Sequence, residues 1–131
     1  MRLLLDTHIL LWATLATARL SRGERACLDA ATEGVTVSAV ALWELRLKWS
    51  TLHASGERKG PASPQVVAAA VEDIGWPMLP LLPRHAIAPL DPPLDHRDPF
   101  DELLLVQAQV EGCRLLTRDA RLLGDPLAIG G

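Results

Sequence analysis

The chain has 131 residues, of which 49% are hydrophobic, and a formal net charge of −3. A chain of this length predicts a single domain, residues 1–131, with enough apolar residues for one buried core. The negative net charge excludes a broadly basic surface for nucleic acid, because such binding depends on Lys and Arg neutralising phosphates. Two cysteines, Cys27 and Cys113, are too few for a disulfide framework and favour a cytoplasmic protein with free thiols.

The N-terminal segment superficially resembles a secretory signal peptide, because a leucine-rich run follows Arg2 and small residues surround Thr17. We reject this interpretation because Asp6 and His8 interrupt the apolar run, where charged or polar groups are costly in lipid. No other stretch has the roughly 18 consecutive apolar residues that a membrane-spanning helix needs.

Short apolar runs alternate with longer helical patterns along the chain, which is typical of β–α–β units. Strands are predicted over residues 3–5, 35–37 and 114–117, with shorter candidates at 78–79, where flanking prolines favour an edge, and at 127–129. Helices are predicted over residues 8–18, 21–32, 39–50, 64–74 and 99–112, several of them after a capping residue such as Ser21, Ser38, Ser63 or Asp98. The expected fold is a three-layer α/β/α sandwich with a central parallel sheet of four to five strands.

Two connections stand out by composition. Residues 53–64 combine glycine, serine and proline with the basic pair Arg58 and Lys59, and they are predicted to form a mobile loop. Residues 89–93 are rich in proline and form a second predicted connection.

Acidic residues follow two of the predicted strands. Asp6 comes directly after the first strand, and Asp119 follows the strand that ends at Thr117. In an open parallel sheet, ligands bind beyond the carboxyl ends of the strands. Each acid also has a structural interpretation as the cap of the helix or turn that follows it, so neither residue alone decides between structure and function.

Glu44 is the acid for which a purely structural role is the weakest explanation. It lies on the helical face that carries Val40, Trp43 and Leu47, and this face is expected to point inward. A solvated pair with Lys48, one turn later, is the alternative. Because a buried carboxylate needs a charged partner or a metal, we favour a functional role for Glu44.

Asp98 and Asp101 open the last long helix. Asp98 suits the N-cap, the following proline suits the first helical position, and Asp101 complements the helix dipole. However, Asp101 also begins the apolar face that continues through Leu104, Leu105 and Ala108 and is expected to pack on the sheet. This placement directs Asp101 toward the same edge as Asp6.

Four converging carboxylates repel one another and call for a cation or for raised pKa values. Hard oxygen ligands suit Mg²⁺ or Mn²⁺, whereas the four histidines and two cysteines show no spacing typical of zinc ligands. Carboxylate-held Mg²⁺ serves phosphoryl chemistry by activating water and offsetting charge. Since nucleotide-binding glycine loops and nucleophile elbows are missing from the sequence, phosphodiester hydrolysis is the predicted chemistry.

Four motifs together resemble the PIN-domain toxins of the VapC type, which belong to VapBC toxin–antitoxin pairs. They are residues 4–8 (LLDTH), 38–45 (SAVALWEL), 96–101 (HRDPFD) and 115–119 (LLTRD), and they cover nearly the whole chain in order. The resemblance implies a metal-dependent endoribonuclease of the hydrolase class that cleaves tRNA or mRNA. The long loop at 53–64 and the short C-terminal strand depart from the expected pattern.

The resemblance also implies roles for particular residues. Asp6 and Asp101 would be the main metal ligands, Glu44 would hold or orient water, and Asp119 would complete the site, with Asp98 as a competing ligand. Three hydroxyl residues would support the pocket by hydrogen bonds: Thr7, Ser38 and Thr117. The RNA-facing candidates are Arg46, Lys48, Arg58, Lys59, Arg118 and Arg121, for each of which ordinary solvated surface is the alternative.

The implied partners are RNA, a second copy of the chain in a homodimer, and a VapB-type antitoxin that inserts a basic side chain into the acidic pocket. The tryptophans Trp12, Trp43, Trp49 and Trp76 are assigned to packing or to the dimer interface, in preference to base stacking. An aspartyl phosphatase or a receiver domain is disfavoured, because Thr7 and His8 supply no second acid after Asp6. A catalytically inactive RNA- or protein-binding PIN-like module stays open as the alternative.

Overall fold

The structure, a computed structural model, describes residues 1–50 and 62–131. In chain order the elements are β1 (Leu3–Leu5), α1 (Thr7–Leu15), a 3-10 turn (Thr17–Arg19), α2 (Arg22–Asp29), β2 (Val35–Ser38), α3 (Ala39–Ser50), α4 (Pro64–Ile74), β3 (Met78–Leu79), α5 (Pro83–Ile87), α6 (Pro99–Glu111), β4 (Arg114–Leu116) and β5 (Ala128–Ile129). Helices separate all successive strands except β4 and β5, as the alternating pattern predicts.

The strands form one parallel sheet in the order β3-β2-β1-β4-β5. From the central strand β1 the chain first builds outward through β2 and β3, and later returns to the opposite side as β4 and β5. The carboxyl ends of β1 and β4 therefore lie next to each other where the direction of building switches, which is the usual position of a binding crevice. The predicted α/β sandwich with a parallel sheet is confirmed.

Apolar clusters cover both faces of the sheet. Because side chains of a strand alternate between the two faces, Leu3 and Leu5 pack in one cluster while Leu4 packs in the other. In β4, Leu115 and Leu116 divide between the clusters in the same way. This double coverage explains why the inner strands are short, continuous apolar runs without polar alternation.

Helix boundaries differ from the predictions mainly at turns. The bounds of α3 and α4 agree with the predicted 39–50 and 64–74, and α6 ends one residue early because Gly112 terminates it with a positive φ of 71°. The predicted helix 8–18 instead ends at Leu15 and continues as the 3-10 turn, and α2 is shorter than 21–32. Helix α5 was not predicted, because its five residues are too few for a periodic apolar pattern.

The buried face of α3 differs from the predicted face. Val40 and Glu44 are buried, but Trp43 and Leu47 are 44% and 40% exposed, so the prediction that they point inward is wrong. Ala41 and Leu45 are buried beside them. The buried face of α3 differs from the predicted one because α3 contacts three helices, α1, α4 and α6, in addition to strand β2. Tertiary contacts on several sides therefore determine which residues of α3 are buried.

Other predictions concern the ends, loops and thiols of the chain. Both edge strands form, and the predicted loop at 53–64 lies mainly outside the described residues. No helix within residues 1–50 and 62–131 is long and apolar enough to cross a membrane. Both Cys27 and Cys113 are free thiols, as predicted, and Cys113 is buried.

Candidate active site

The ends of β1 and β4 meet through a buried hydrogen bond. Asp6 follows β1 and caps α1, with one carboxylate oxygen accepting the backbone N–H of Thr7 at 2.8 Å. Its other oxygen accepts the hydroxyl of Thr117, the residue after β4, at 2.6 Å. Burial raises the pKa of the Asp6 carboxyl and the charge of Glu44 raises it further, while these two hydrogen bonds act in the opposite direction.

Glu44 reaches the same edge from α3. Its side chain is buried, and Oε1 accepts the hydroxyl of Thr7 at 2.6 Å. Its Oε2 lies 2.8 Å from Nζ of Lys48, so the i,i+4 pair anticipated from the sequence exists as well. Glu44 is therefore both a buried acid of the cluster and the partner of an exposed lysine at its outer edge.

Asp101 enters from the first turn of α6. It is only 6% exposed, and Nε2 of His96 lies 3.0 Å from its Oδ2. Burial raises the pKa of the Asp101 carboxyl to about 6, although the hydrogen bond with His96 lowers it. The negative charges of Asp98, Asp6 and Asp119 add to the increase, which shows that Asp101 shares its surroundings with the other acids.

Asp119 lies in the turn after β4 and is held by Arg121. Its Oδ1 accepts the backbone N–H and the Nε–H of Arg121 at 2.9 and 3.3 Å, and Oδ2 accepts from Nη2 at 2.9 Å. The same Nη2 lies 3.6 Å from Oδ2 of Asp101. The hydrogen bonds from Arg121 lower the pKa of the Asp119 carboxyl, so this acid stays ionised.

Asp98 has a different position from Asp101. Its carboxylate accepts the backbone N–H groups of Phe100 and Asp101 at 3.0 and 3.2 Å, as expected for an N-cap. It contributes to the cleft wall, but the capping bonds occupy its Oδ1. Of the two aspartates in this motif, Asp101 is the buried one that senses Asp6 and Asp119.

The four acids of the candidate site, Asp6, Glu44, Asp101 and Asp119, come from four different elements or turns. Contacts through three residues, Thr7, Thr117 and Arg121, link them into one network. An open cleft of about 520 Å³ adjoins the network, and its walls include Glu44, Lys48, His96, Arg97, Asp98 and Arg121. We call this the acidic cleft.

Comparison with known proteins places this arrangement in a family. The PIN domain family matches residues 3–124. The chain belongs to the PIN domain family. Among curated proteins no sequence gives a significant match.

Solved structures agree with the PIN domain at the level of the fold. The VapBC2 complex of Rickettsia felis bound to a promoter DNA fragment has a TM-score of 0.64 and 15% identity, over 100% of this chain and 98% of that chain. A toxin–antitoxin complex from Klebsiella pneumoniae has a TM-score of 0.62 and 18% identity, over 96% and 94%. At these low sequence identities, the structural similarity shows a shared fold and no more.

The carboxylates of this PIN domain form a donor set for a divalent metal. Among the described residues, no three Asp, Glu, His or Cys side chains are arranged to hold an ion as they stand. Basic side chains contact the carboxylates instead: Lys48, His96 and Arg121. Nevertheless all the donors are hard oxygens, and burial raises the pKa of both Asp6 and Asp101, which is expected of acids that gain from added positive charge. The residues therefore fit Mg²⁺ or Mn²⁺ better than Zn²⁺.

The predicted supporting hydroxyls do not share one role. Thr7 and Thr117 bind site carboxylates directly, as described above. Ser38 lies one step farther away: its hydroxyl accepts the N–H of Val40 at 3.0 Å and binds the buried amide of Gln107. It thereby fastens the start of α3 to α6, and it contacts none of the four acids in the described part of the chain.

Two of the predicted RNA-facing cations, Lys48 and Arg121, line the acidic cleft. Arg118 instead pairs with the buried Glu24, with Nε 2.8 Å from Oε2, and its guanidinium stacks 4.1 Å over the Trp12 ring. These contacts assign Arg118 a packing role, so RNA binding by it stays a prediction.

Arg46 is exposed beside a separate groove that contains Trp43. Arg58 and Lys59 lie outside the described residues.

Sequence reasoning missed His96 and Arg97 as cleft residues. Both belong to the 96–101 motif, and both line the cleft, although they precede α6 in an irregular segment. The available signal was a histidine five residues before an aspartate. Because His96 lies outside any helix or strand, no periodic pattern predicts which way its side chain points.

The tryptophans differ in their contacts and exposure. Trp12 stacks on His8 with ring centroids 5.6 Å apart, and Trp76 packs against the main apolar cluster. Trp43 makes an edge contact with Phe100 at 5.0 Å while remaining 44% exposed. Packing roles therefore describe Trp12 and Trp76, whereas an interface role for Trp43 stays a prediction.

Proposed function

We propose that this PIN domain is a Mg²⁺-dependent endoribonuclease that hydrolyses RNA phosphodiester bonds, with Mn²⁺ as the other suitable ion. The observation that carries this proposal is the network of four carboxylates at the switch point between β1 and β4. Such a set of hard oxygens, two of them on acids whose pKa is raised, suits a divalent cation in phosphoryl chemistry. When bound, the ion would offset the negative charge of the phosphate and lower the pKa of the attacking water.

The residues of the chain would supply position and charge. Asp6 and Asp101 are the principal ligands in this proposal, because they are buried and because their surroundings favour added positive charge. Glu44, fixed by the Thr7 hydroxyl, would accept a hydrogen bond from the attacking water and orient it toward phosphorus. Asp119 would complete the ligand set or its surroundings.

The cleft wall suits a polyanion. Lys48, Arg97 and Arg121 line it, although the whole chain has a net charge of −3. Three positive groups therefore lie beside the acids, where a phosphodiester would have to lie. This distribution meets the requirement that RNA contact be local.

We further propose that the domain is the toxin of a VapBC-type pair. Two solved structures that share its fold over nearly their whole length are toxin–antitoxin complexes, and they are two among several that match. A VapB-type antitoxin would inhibit it by placing a basic side chain against the acids, which already accept Lys48 and Arg121. A homodimer and a cytoplasmic location belong to the same proposal, and the free Cys27 and Cys113 suit a reducing compartment.

The experiment is cleavage of a mixed tRNA and mRNA pool by purified protein freed of antitoxin, with Mg²⁺, Mn²⁺ or EDTA. The parent is compared with Asp6→Asn and Asp101→Asn, which keep side-chain size and remove a ligand charge. The matched control is Asp73→Asn, which makes the same change at an exposed position of α4. We expect metal-dependent cleavage that falls about a hundredfold or more in the two site variants and is unchanged in the control.

Two results would contradict the proposal. Cleavage that persists in EDTA would exclude the metal mechanism. Absence of cleavage by a parent protein that still binds RNA or a basic peptide would favour the catalytically inactive binding module.

A further inference from the structure

Arg121 connects two acids of the cleft at once. Its guanidinium binds both carboxylate oxygens of Asp119, and the Nη2 of this group also lies 3.6 Å from Asp101. Its backbone N–H fixes the same Asp119 at 2.9 Å, so the acid is held in place independently of the side chain. The Arg121 side chain is nevertheless 58% exposed on the cleft wall, so it can leave the acids without unpacking the core.

The other cations of the cleft lack this bridging position. Lys48 pairs with Glu44 within a single helix. Arg97 lines the same cleft but forms no ion pair with an acid in the part of the chain that the structure describes. Arg97 therefore provides the same charge in the same cleft without contact to Asp101 or Asp119, which makes it a matched comparison.

A divalent cation and the Arg121 guanidinium require the same oxygens. Both oxygens of Asp119 accept hydrogen bonds from Arg121, and the Asp101 oxygen nearest to Arg121 also faces His96. Two positive groups at one pair of carboxylates repel each other, so occupation by one weakens occupation by the other. Without a metal, Arg121 thus offsets part of the negative charge of these two acids.

Resting on the proposed function, we propose that Arg121 is a built-in counter-cation that leaves Asp119 and Asp101 when a divalent metal takes these carboxylates, and that its released guanidinium then binds a phosphate of the RNA. The flexible, exposed side chain lies on the wall of the acidic cleft, so either position is within the same cleft. A guanidinium matches the geometry of a phosphate with two parallel hydrogen bonds. Metal binding therefore frees the guanidinium for RNA, and metal and RNA strengthen each other's binding.

The test measures binding without catalysis. Mg²⁺ is titrated calorimetrically into metal-free parent, Arg121→Gln and Arg97→Gln. We expect the Arg121→Gln variant to bind Mg²⁺ about three- to tenfold more tightly, because a direct bridging pair is lost, and the Arg97→Gln variant to gain less than about twofold from a screened charge. Arg121→Lys, which keeps the charge but not the planar fork, should fall between the parent and Arg121→Gln.

The second measurement tests the release of the guanidinium. Fluorescence anisotropy follows binding of a phosphorothioate oligoribonucleotide, whose substituted phosphates resist hydrolysis, with and without Mg²⁺. In the parent, Mg²⁺ should tighten oligonucleotide binding, and by reciprocity the oligonucleotide should tighten Mg²⁺ binding by the same factor. Arg121→Gln should lose the part of this coupling that exceeds the direct contact of the metal with the phosphate. Arg97→Gln, which also removes a charge from the cleft wall, should weaken oligonucleotide binding equally with and without Mg²⁺ and so keep the coupling. Thermal melting confirms that all variants are folded.

Several outcomes would overturn the inference. Equal Mg²⁺ affinities in Arg121→Gln and Arg97→Gln would mean that Arg121 does not compete with the metal and forms only ordinary surface ion pairs. Tighter Mg²⁺ binding with unchanged coupling would exclude the transfer to phosphate. If no variant binds Mg²⁺, the inference fails together with the metal component of the proposed function. If Arg121→Gln changes Mg²⁺ affinity and coupling as expected but the parent protein cleaves no RNA, the inference is supported. Only the proposed nuclease activity is then contradicted.

Discussion

The hydroxyl of Thr117 lies 2.6 Å from Oδ2 of Asp6, so the residue after β4 donates a hydrogen bond to the residue after β1. Both side chains are buried, and the Thr117 oxygen in turn accepts the N–H of Asp119 at 3.0 Å. A single hydroxyl thus fixes two acids of the site relative to each other. This relationship exists only because the parallel sheet places β4 beside β1.

Thr117→Val should weaken the site while keeping its shape. Valine has nearly the same volume but cannot donate to Asp6, so the pKa of that carboxyl should rise further and its affinity for a cation should fall. We expect Mg²⁺ affinity to fall by about 10-fold and the free energy of unfolding by about 1–2 kcal/mol. Calorimetric titration and urea unfolding measure the two effects.

The control for Thr117→Val is Thr36→Val. Thr36 is a buried threonine of β2, and in the described part of the chain its hydroxyl makes no hydrogen bond to the four acids. This variant should leave Mg²⁺ affinity unchanged. An equal loss in both variants would mean that the sheet, and not the hydroxyl of Thr117, controls the site.

Mg²⁺ binding should strengthen as the pH rises through about 6. The Asp101 carboxyl has its pKa raised to about 6, mainly by burial, and a protonated carboxyl is a poor metal ligand. The increase in melting temperature caused by Mg²⁺ should therefore be small at pH 5 and large at pH 7.5. Asp101→Asn, which lacks a principal ligand, should show little Mg²⁺-induced increase at either pH, and a parent increase that is equal at both pH values would contradict the role of Asp101.

Without metal, Asp101→Asn should stabilise the protein at neutral pH. Because the folded-state pKa is above the ordinary 3.8, the folded chain binds more protons than the unfolded chain between these values, so stability falls as the pH rises from about 4 to above 6. Asparagine cannot ionise and escapes this loss. We expect a gain of up to about 3 kcal/mol in the free energy of unfolding at pH 7.5.

Urea unfolding in EDTA at pH 7.5 and pH 4 measures that gain, which should disappear at pH 4, where the parent carboxyl is protonated. Asp73→Asn, at an exposed site, should change stability little at either pH. A destabilised Asp101→Asn at pH 7.5 would show that the contact with His96 outweighs the burial of charge.

Arg118→Met should destabilise the fold without altering the chemistry. Arg118 pairs with Glu24, which is 1% exposed, and hydrogen bonds from Arg118 lower the pKa of that carboxyl. The stabilisation is present above the ordinary carboxyl pKa and disappears as the pH falls through the lowered value. Because Arg118 itself is partly exposed, we expect a loss of about 1–3 kcal/mol at pH 7.

Urea unfolding at pH 7 and at acidic pH measures the Arg118 effect, which should shrink in acid. RNA cleavage assayed well below the melting temperature should persist, since the guanidinium is engaged with Glu24 and Trp12. A large rise in KM for RNA in a folded Arg118→Met protein would instead support the predicted RNA contact.

Much of the fold could be predicted from the sequence because its signals are local. The apolar runs at residues 3–5 and 114–117, the serine caps and the bounds of α3 and α4 all depend on neighbouring residues. Helix α5 and the early end of α1 could not be predicted, because short segments carry too few residues for a periodic pattern.

The acids that the structure brings together could be selected from the sequence because they depart from their surroundings. Asp6 ends an apolar strand, Glu44 interrupts a buried helix face, and Asp101 begins one. These residue types and positions, together with the parallel-sheet pattern, determined that carboxylates would gather at one edge.

Only the tertiary structure decided what each carboxylate contacts. It separated Asp98, which caps α6, from the buried Asp101, and it paired Glu44 with Thr7 and Arg118 with Glu24. It also placed Arg121 across Asp119 and Asp101. The physical reason is that hydrogen bonds and ion pairs depend on distances of a few ångströms between residues remote in the chain, whereas local sequence patterns report only on the nearest turns of each element.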